Sequence, residues 1–147
     1  MNNLEFMQLA LIEAAKAGED VPVGAILINA QGEVIARGHN RKEALKDPTS
    51  HAEIEVIRQA TRKLHDYRLI GCTLIVTLEP CAMCAGAIIA ARIPKVVFGA
   101  WDQRVGAAGS IMDLLRDQRL GKPIEVIPGV LEKECSAILK EFFDKKR

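Results

Sequence analysis

Two short stretches hold residue types that can bind a metal and move a proton. His51-Ala52-Glu53 opens HAEIEVIRQA, just after DPTS, and Pro80-Cys81-Ala82-Met83-Cys84 closes TLEPCAMC. The first has an ordinary explanation. Ser50-His51-Ala52-Glu53 fits the S-x-x-E capping box, in which the Glu53 carboxylate reaches back to the backbone N–H of Ser50. Taken alone, the triplet favours that cap. The second stretch changes the balance. Cys81 and Cys84 are three apart, hence neighbours on one helix face, and Pro80 suits a helix start. The positive end of a helix lowers thiol pKa values and favours thiolate. Two thiolates and the neutral imidazole of His51 make three zinc ligands. A fourth position is then left for water, as in a catalytic site rather than a closed structural one.

Other uses of the pair fit less well. A redox C-x-x-C is disfavoured by the small and apolar residues inside it and by the lack of a preceding aromatic. An iron–sulfur cluster wants four thiolates, and Cys72 and Cys135 are not spaced to help. These two read as small core hydrophobes. His39 and His65 lie in no ligand-spaced cluster. Geometry also constrains Glu53. Residues two apart on a helix point in different directions. His51 and Glu53 therefore reach one metal only if it lies over the N-terminal end of their helix, with the helix of Cys81 presenting its own N-terminus there.

The elements that must do this can be read from periodicity. Leu4, Met7, Leu11 and Ala14 recur at helical spacing, Asn2 and Glu5 resemble a capping pair, and Gly18 is a plausible stop. Residues 23–29 and 33–40 flank Ala30-Gln31-Gly32 as a β-hairpin, with Gly32 taking the unusual backbone angles. Helices are expected over residues 50–65, 81–92, 111–116 and 131–143, the last with Leu131, Ala137 or Ile138, and Phe142 on its apolar side. Strands are expected over 72–78, 95–100 and 124–127. The strand–helix–strand units imply parallel neighbours, and the hairpin makes the sheet mixed. The expected fold is α/β, a three-layer α/β/α sandwich with about five strands.

The chain has 147 residues, 49% hydrophobic and 27% charged, which fits one globular domain over 1–147. A formal net charge of +1 advertises no nucleic-acid partner through a global field, so any RNA would be held by local patches. The opening MNNLEFMQLA has no basic region followed by an apolar run, and no charge-free run is long enough to span a bilayer. A cytoplasmic protein with no membrane partner is the expectation.

H-x-E followed by P-C-x-x-C is the known signature of the zinc deaminases. VPVGAIL, GHNRKEALKDPTSHAEI, TLEPCAMCAGAIIAARI, VVFGAWDQRVGAAGSIMDLL and the closing KEFFDKKR extend the likeness over nearly the whole chain. The sequence resembles the bacterial tRNA-specific adenosine deaminases, within the zinc-dependent cytidine/deoxycytidylate deaminase superfamily. That resemblance implies a cytidine deaminase-like fold, a homodimer with one Zn²⁺ per subunit, and conversion of the wobble adenosine of a tRNA anticodon, usually of an arginine tRNA, to inosine. It implies that His51, Cys81 and Cys84 hold zinc and that Glu53 is the catalytic proton shuttle. It also implies that Asn40 hydrogen-bonds the base or ribose, Val23 lines the base pocket, the Ala52 N–H faces the base edge, Pro80 forms part of the wall, and Asp102 contacts the nucleotide backbone. Trp101 departs from the family, where this position is variable and often polar. It either stacks on an anticodon base or packs at a dimer interface. Arg41, Lys42, Arg104, Lys145, Lys146 and Arg147 are the cations available for an anticodon stem-loop. A deaminase of a free base or nucleoside such as guanine or cytosine is the alternative. A non-catalytic zinc module and a thiol redox protein are the remaining readings.

Overall fold

The computed structural model describes residues 1–146. Its centre is a five-stranded mixed sheet in the order β2-β1-β3-β4-β5. The strands are β1 (Gly24–Ile28), β2 (Val34–His39), β3 (Thr73–Leu78), β4 (Lys95–Ala100) and β5 (Glu125–Ile127). β1 runs antiparallel to both β2 and β3, and β3, β4 and β5 are mutually parallel. The hairpin turns where expected, with Gly32 at φ +81.

Because side chains alternate along a strand, each strand feeds two cores. Ala25, Leu27, Leu74, Val76, Val96 and Phe98 face helices α3 (Ala52–Leu64) and α4 (Ala82–Ala90). Ile26, Ile28, Ile75 and Val97 face α1 (Asn3–Ala14) and α5 (Glu132–Lys145). The result is the expected α/β/α sandwich. Cys72 and Cys135 are both buried in these cores.

Several elements differ from the sequence expectation. Residues 111–116 form no helix. Their backbone donors go elsewhere: Leu114 N–H donates to Ala107 O and Gly109 N–H to Met112 O, closing a loop stitched by an Ala108–Asp113 bridge. A four-residue helix, α2 (Lys42–Leu45), stands instead between β2 and α3. On α1 the capping box of Asn2 and Glu5 is present, but the buried stripe is Phe6, Met7, Ala10 and Ala14, while Leu4 is 52% exposed. The reason is close packing. A Cβ on Gly24 would lie 2.0 Å from Ala10 O and 2.4 Å from Ala14 N, so α1 rests its backbone on β1. On α5 the anchor is Cys135, with Leu139 packed beside it, and Ala137 is exposed. Among the described residues, no helix is long and apolar enough to cross a membrane.

Candidate functional site

The parallel strands β3 and β4 end level, Leu78 pairing with Ala100. Their exits deliver Glu79-Pro80-Cys81 and Trp101-Asp102 side by side, at the carboxyl end of the sheet where open α/β folds place ligands. α3 and α4 both begin here. His51 is the N-cap residue of α3 and Cys81 that of α4; both backbones are extended and neither side chain makes a capping bond. The two side chains are thereby free to meet.

They do meet. His51 Nδ1 lies 3.4 Å from Cys84 Sγ and 3.7 Å from Cys81 Sγ. The three ligand atoms all fall within 4.8 Å of one another, and no other such cluster forms among the described residues. Zn–S and Zn–N bonds of about 2.3 and 2.0 Å, at a tetrahedral angle, separate N from S by about 3.5 Å. The donor set and its spacing fit zinc through Nδ1 and both sulfurs.

The capping box is not formed. Ser50 N–H donates to Asp47 O, and Ser50 Oγ has no partner. Glu53 is instead 4% exposed and lines the same cleft as His51 and Cys81. Burial pushes its carboxyl up to about 7. The hydrogen bond from the Cys84 thiol, aided by His51, brings the Cys81 thiol down to about 4. The same bond and burial hold the Cys84 proton on. His51 is raised by its hydrogen bond to Cys81. Two neighbouring sulfurs and an imidazole nitrogen make a donor set that a divalent cation would complete, binding them deprotonated.

The Cytidine and deoxycytidylate deaminase zinc-binding region model matches residues 1–100. The chain belongs to the cytidine and deoxycytidylate deaminase family. Within it, the chain is similar to the tRNA-specific adenosine deaminase of Bacillus subtilis (strain 168), 48% identical over 144 residues that cover 97% of this chain and 89% of that one. It is 45% identical to the tRNA-specific adenosine deaminase of Haemophilus influenzae, over 95% of this chain and 80% of that one. A solved structure from a study of A-to-I editing by tRNA:A34 deaminases superposes with a TM-score of 0.87 at 47% identity, covering 92% of this chain and 99% of that one.

A cleft of ≈ 920 Å³ is lined by Val23, Asn40, Lys42, Trp101, Asp102, Arg104 and Lys146 as well as by His51, Glu53 and Cys81. Asn40 Oδ1 accepts the Ala52 N–H at 2.8 Å, and its Nδ2 donates to Val21 O. The Ala52 N–H is thus spent on Asn40, not turned freely to the cleft. Asn40 keeps one N–H and one lone pair for a ligand. Pro80 accepts the Ala107 N–H through its carbonyl and so ties the 101–113 loop to the segment carrying Cys81. Asp102 Oδ1 accepts from the N–H groups of Arg104 and Val105, a turn-forming role. Trp101, 39% exposed, sets its ring edge-on to Phe98 at 4.9 Å. Lys145 pairs with Glu141 along α5, Lys146 reaches Glu19 at 3.0 Å, and Arg41 lies 3.7 Å from Glu55. Arg147 lies outside the described residues.

Two residues of the site escaped the sequence reading. Asp20 is buried and accepts from the N–H groups of Glu43 and Ala44, fixing α2 on the rim. Glu79 is buried between the apolar β3 and Pro80. A lone carboxylate ending an apolar strand just before the P-C-x-x-C motif was the available signal. A second cavity of ≈ 570 Å³ lies at the opposite end of the sheet, around Ile70, Pro94 and Ile124.

Proposed function

We propose that the chain catalyses zinc-dependent hydrolytic deamination of the wobble adenosine of a tRNA anticodon to inosine, with release of ammonia. The observation that carries the reading is the buried Glu53 carboxyl in the same cleft as the His51–Cys81–Cys84 cluster, engaged in no cap. A closed structural zinc site needs a fourth protein ligand and has no use for a proton shuttle. The likeness to tRNA-specific adenosine deaminases over almost the full chain supports the substrate.

His51, Cys81 and Cys84 hold one zinc per chain in this reading. When bound, zinc supplies Lewis acidity that makes a water deprotonable near neutral pH. Glu53 takes the first water proton and delivers it to N1 of adenine as the oxygen adds to C6. It then carries the second proton from that oxygen to the amino group. The C6–N bond breaks, ammonia departs, and C6 keeps the oxygen as a carbonyl. A single buried carboxyl in the cleft beside those three side chains can both take and return the proton. Asn40 hydrogen-bonds the base or ribose with its spare donor and acceptor. Val23 and Pro80 wall the base, and Ala52 serves through the Asn40 bond to its N–H. Asp102, Trp101 and Arg104 receive the flanking nucleotides, with Lys145 and Lys146 toward the phosphates. An anticodon loop, already unpaired, presents its base at low cost.

The same reading takes 1–147 as one deaminase domain, acting in the cytoplasm as a homodimer on an arginine tRNA. Met83, Ile111 and Met112 are exposed apolar side chains available to a second copy. The test is inosine formation in an anticodon stem-loop RNA with adenosine at the wobble position. Glu53→Ala, zinc-loaded and folded, is expected to lose about 10²–10⁴-fold or more in kcat. Were Glu53 only a cap, its removal would cost about 1 kcal/mol of stability and leave turnover intact. No inosine from zinc-loaded wild type, with deamination of free guanine or cytosine, would replace the tRNA reading by the free-base one.

A further inference from the structure

The 101–113 loop forms one wall of the cleft, yet it has no helix or strand to hold its shape. Its backbone converges on one buried carboxylate. Glu79 Oε1 accepts the Asp102 N–H at 2.9 Å and also the Ser110 hydroxyl. Oε2 accepts the Ala108 N–H at 2.9 Å and the Ser110 N–H at 3.0 Å. A carboxylate has about four acceptor sites, so Glu79 is saturated by the loop and has none left for a substrate proton. Two further ties join the loop to the neighbouring residues: the Ala107 N–H bonds to Pro80 O, and Cys81 bridges Gly106. The fit is tight. A Cβ on Gly106 would lie 2.3 Å from Glu79 Oε1 and 2.5 Å from Asp102 O.

We infer that Glu79 is a positioning residue that sets the RNA-facing wall of the cleft, fixing Trp101, Asp102 and Arg104 relative to the metal ligands. The inference rests on the proposed RNA substrate. Glu79 acts at a distance from the reacting base: it fixes where the flanking nucleotides dock and leaves the proton transfers to Glu53. Glu79→Gln keeps the size but turns two acceptor sites into donors that face N–H and O–H groups. The wall then loosens while the His51–Cys81–Cys84 cluster keeps its own elements.

The expected result for zinc-loaded Glu79→Gln is a stem-loop KM raised about tenfold or more with kcat within about threefold of wild type. Zinc content stays equal. Trp101, the chain's single tryptophan, reports the loop directly, and its quenching by acrylamide rises. A purely scaffolding role would lower thermal stability without separating KM from kcat. An unchanged KM, loss of zinc, or a kcat that falls as far as KM rises overturns the inference. If Glu79→Gln does not fold, Ser110→Ala decides, since it removes only the hydroxyl donor. There a KM raised about threefold at constant kcat, with greater quenching, is expected, and an unchanged KM overturns the inference. Absence of inosine from wild type would instead count against the proposed function, and quenching alone would then test the hold of Glu79 on the loop: unchanged quenching in the variants overturns it.

Discussion

Cys81 and Cys84 are neighbours on one helix, yet they differ in ionisation. Cys81 receives hydrogen bonds from the Cys84 thiol and from His51 at the start of α4, whereas Cys84 is buried against Cys81 and Glu53. Metal-stripped protein treated with iodoacetamide at about pH 6 should therefore be labelled at Cys81, where an ordinary thiol with a pKa near 8.5 is almost wholly protonated. A thiol lowered to about 4 is thiolate throughout the neutral range, so its labelling should be nearly flat above about pH 6. Cys135, pushed up to about 12 by burial, and Cys72, also raised, should stay unlabelled. Peptide mapping showing Cys84 modified as fast as Cys81 would contradict the assignment. At this scale the sequence was informative about which side chains cluster and less so about hydrogen bonds. His51, Cys81 and Cys84 carry their chemistry in their types and spacing. The engagement of the Ala52 N–H by Asn40, twelve residues earlier, depends on tertiary folding that no local pattern encodes.

Among the elements, the long periodic ones were legible, and β4 runs over the residues expected of it. The misreadings have physical causes. Ile111 to Arg116 has a helical apolar pattern, but its backbone donors are committed to Gly106 and Ala107. α1 is so apolar that its buried face cannot be read from its own sequence; Gly24, ten residues beyond its end, decides it. Gly24→Ala should therefore be costly, since both contacts below 2.5 Å are with α1 backbone that no rotamer change relieves. Overpacking of this kind typically costs about 1–3 kcal/mol or more. Gly86→Ala supplies the control. Gly86 lies inside α4 with nothing within 4 Å of its added Cβ, so alanine should stabilise by up to about 1 kcal/mol. Thermal melts of the two variants should move in opposite directions. Equal shifts would mean that close approach of α1 is not what Gly24 permits.

The whole molecule divides its labour between the two ends of the sheet. The helix starts that carry His51 and Cys81 and the loop bonded to Glu79 lie where β3 and β4 exit, and net charge and composition gave no hint of this polarity. At the other end, residues 117–123 make an exposed turn ahead of β5, and their main ties are local, as in the pairing of Arg119 with Asp117. Lengthening that turn should be tolerated, because each doubling of a flexible loop costs only about 0.6 kcal/mol. A Gly-Ser insertion between Leu120 and Gly121 should keep turnover and zinc content near wild type, while the same insertion between Gln103 and Arg104 should abolish RNA turnover. Comparable losses at both places would refute the division. The six-residue strands between the two ends are about 20 Å long. A fluorophore, affinity handle or fused partner attached at the 117–123 turn would thus ride about that far from the chemistry, which makes the turn the natural port for tethering this enzyme to something else.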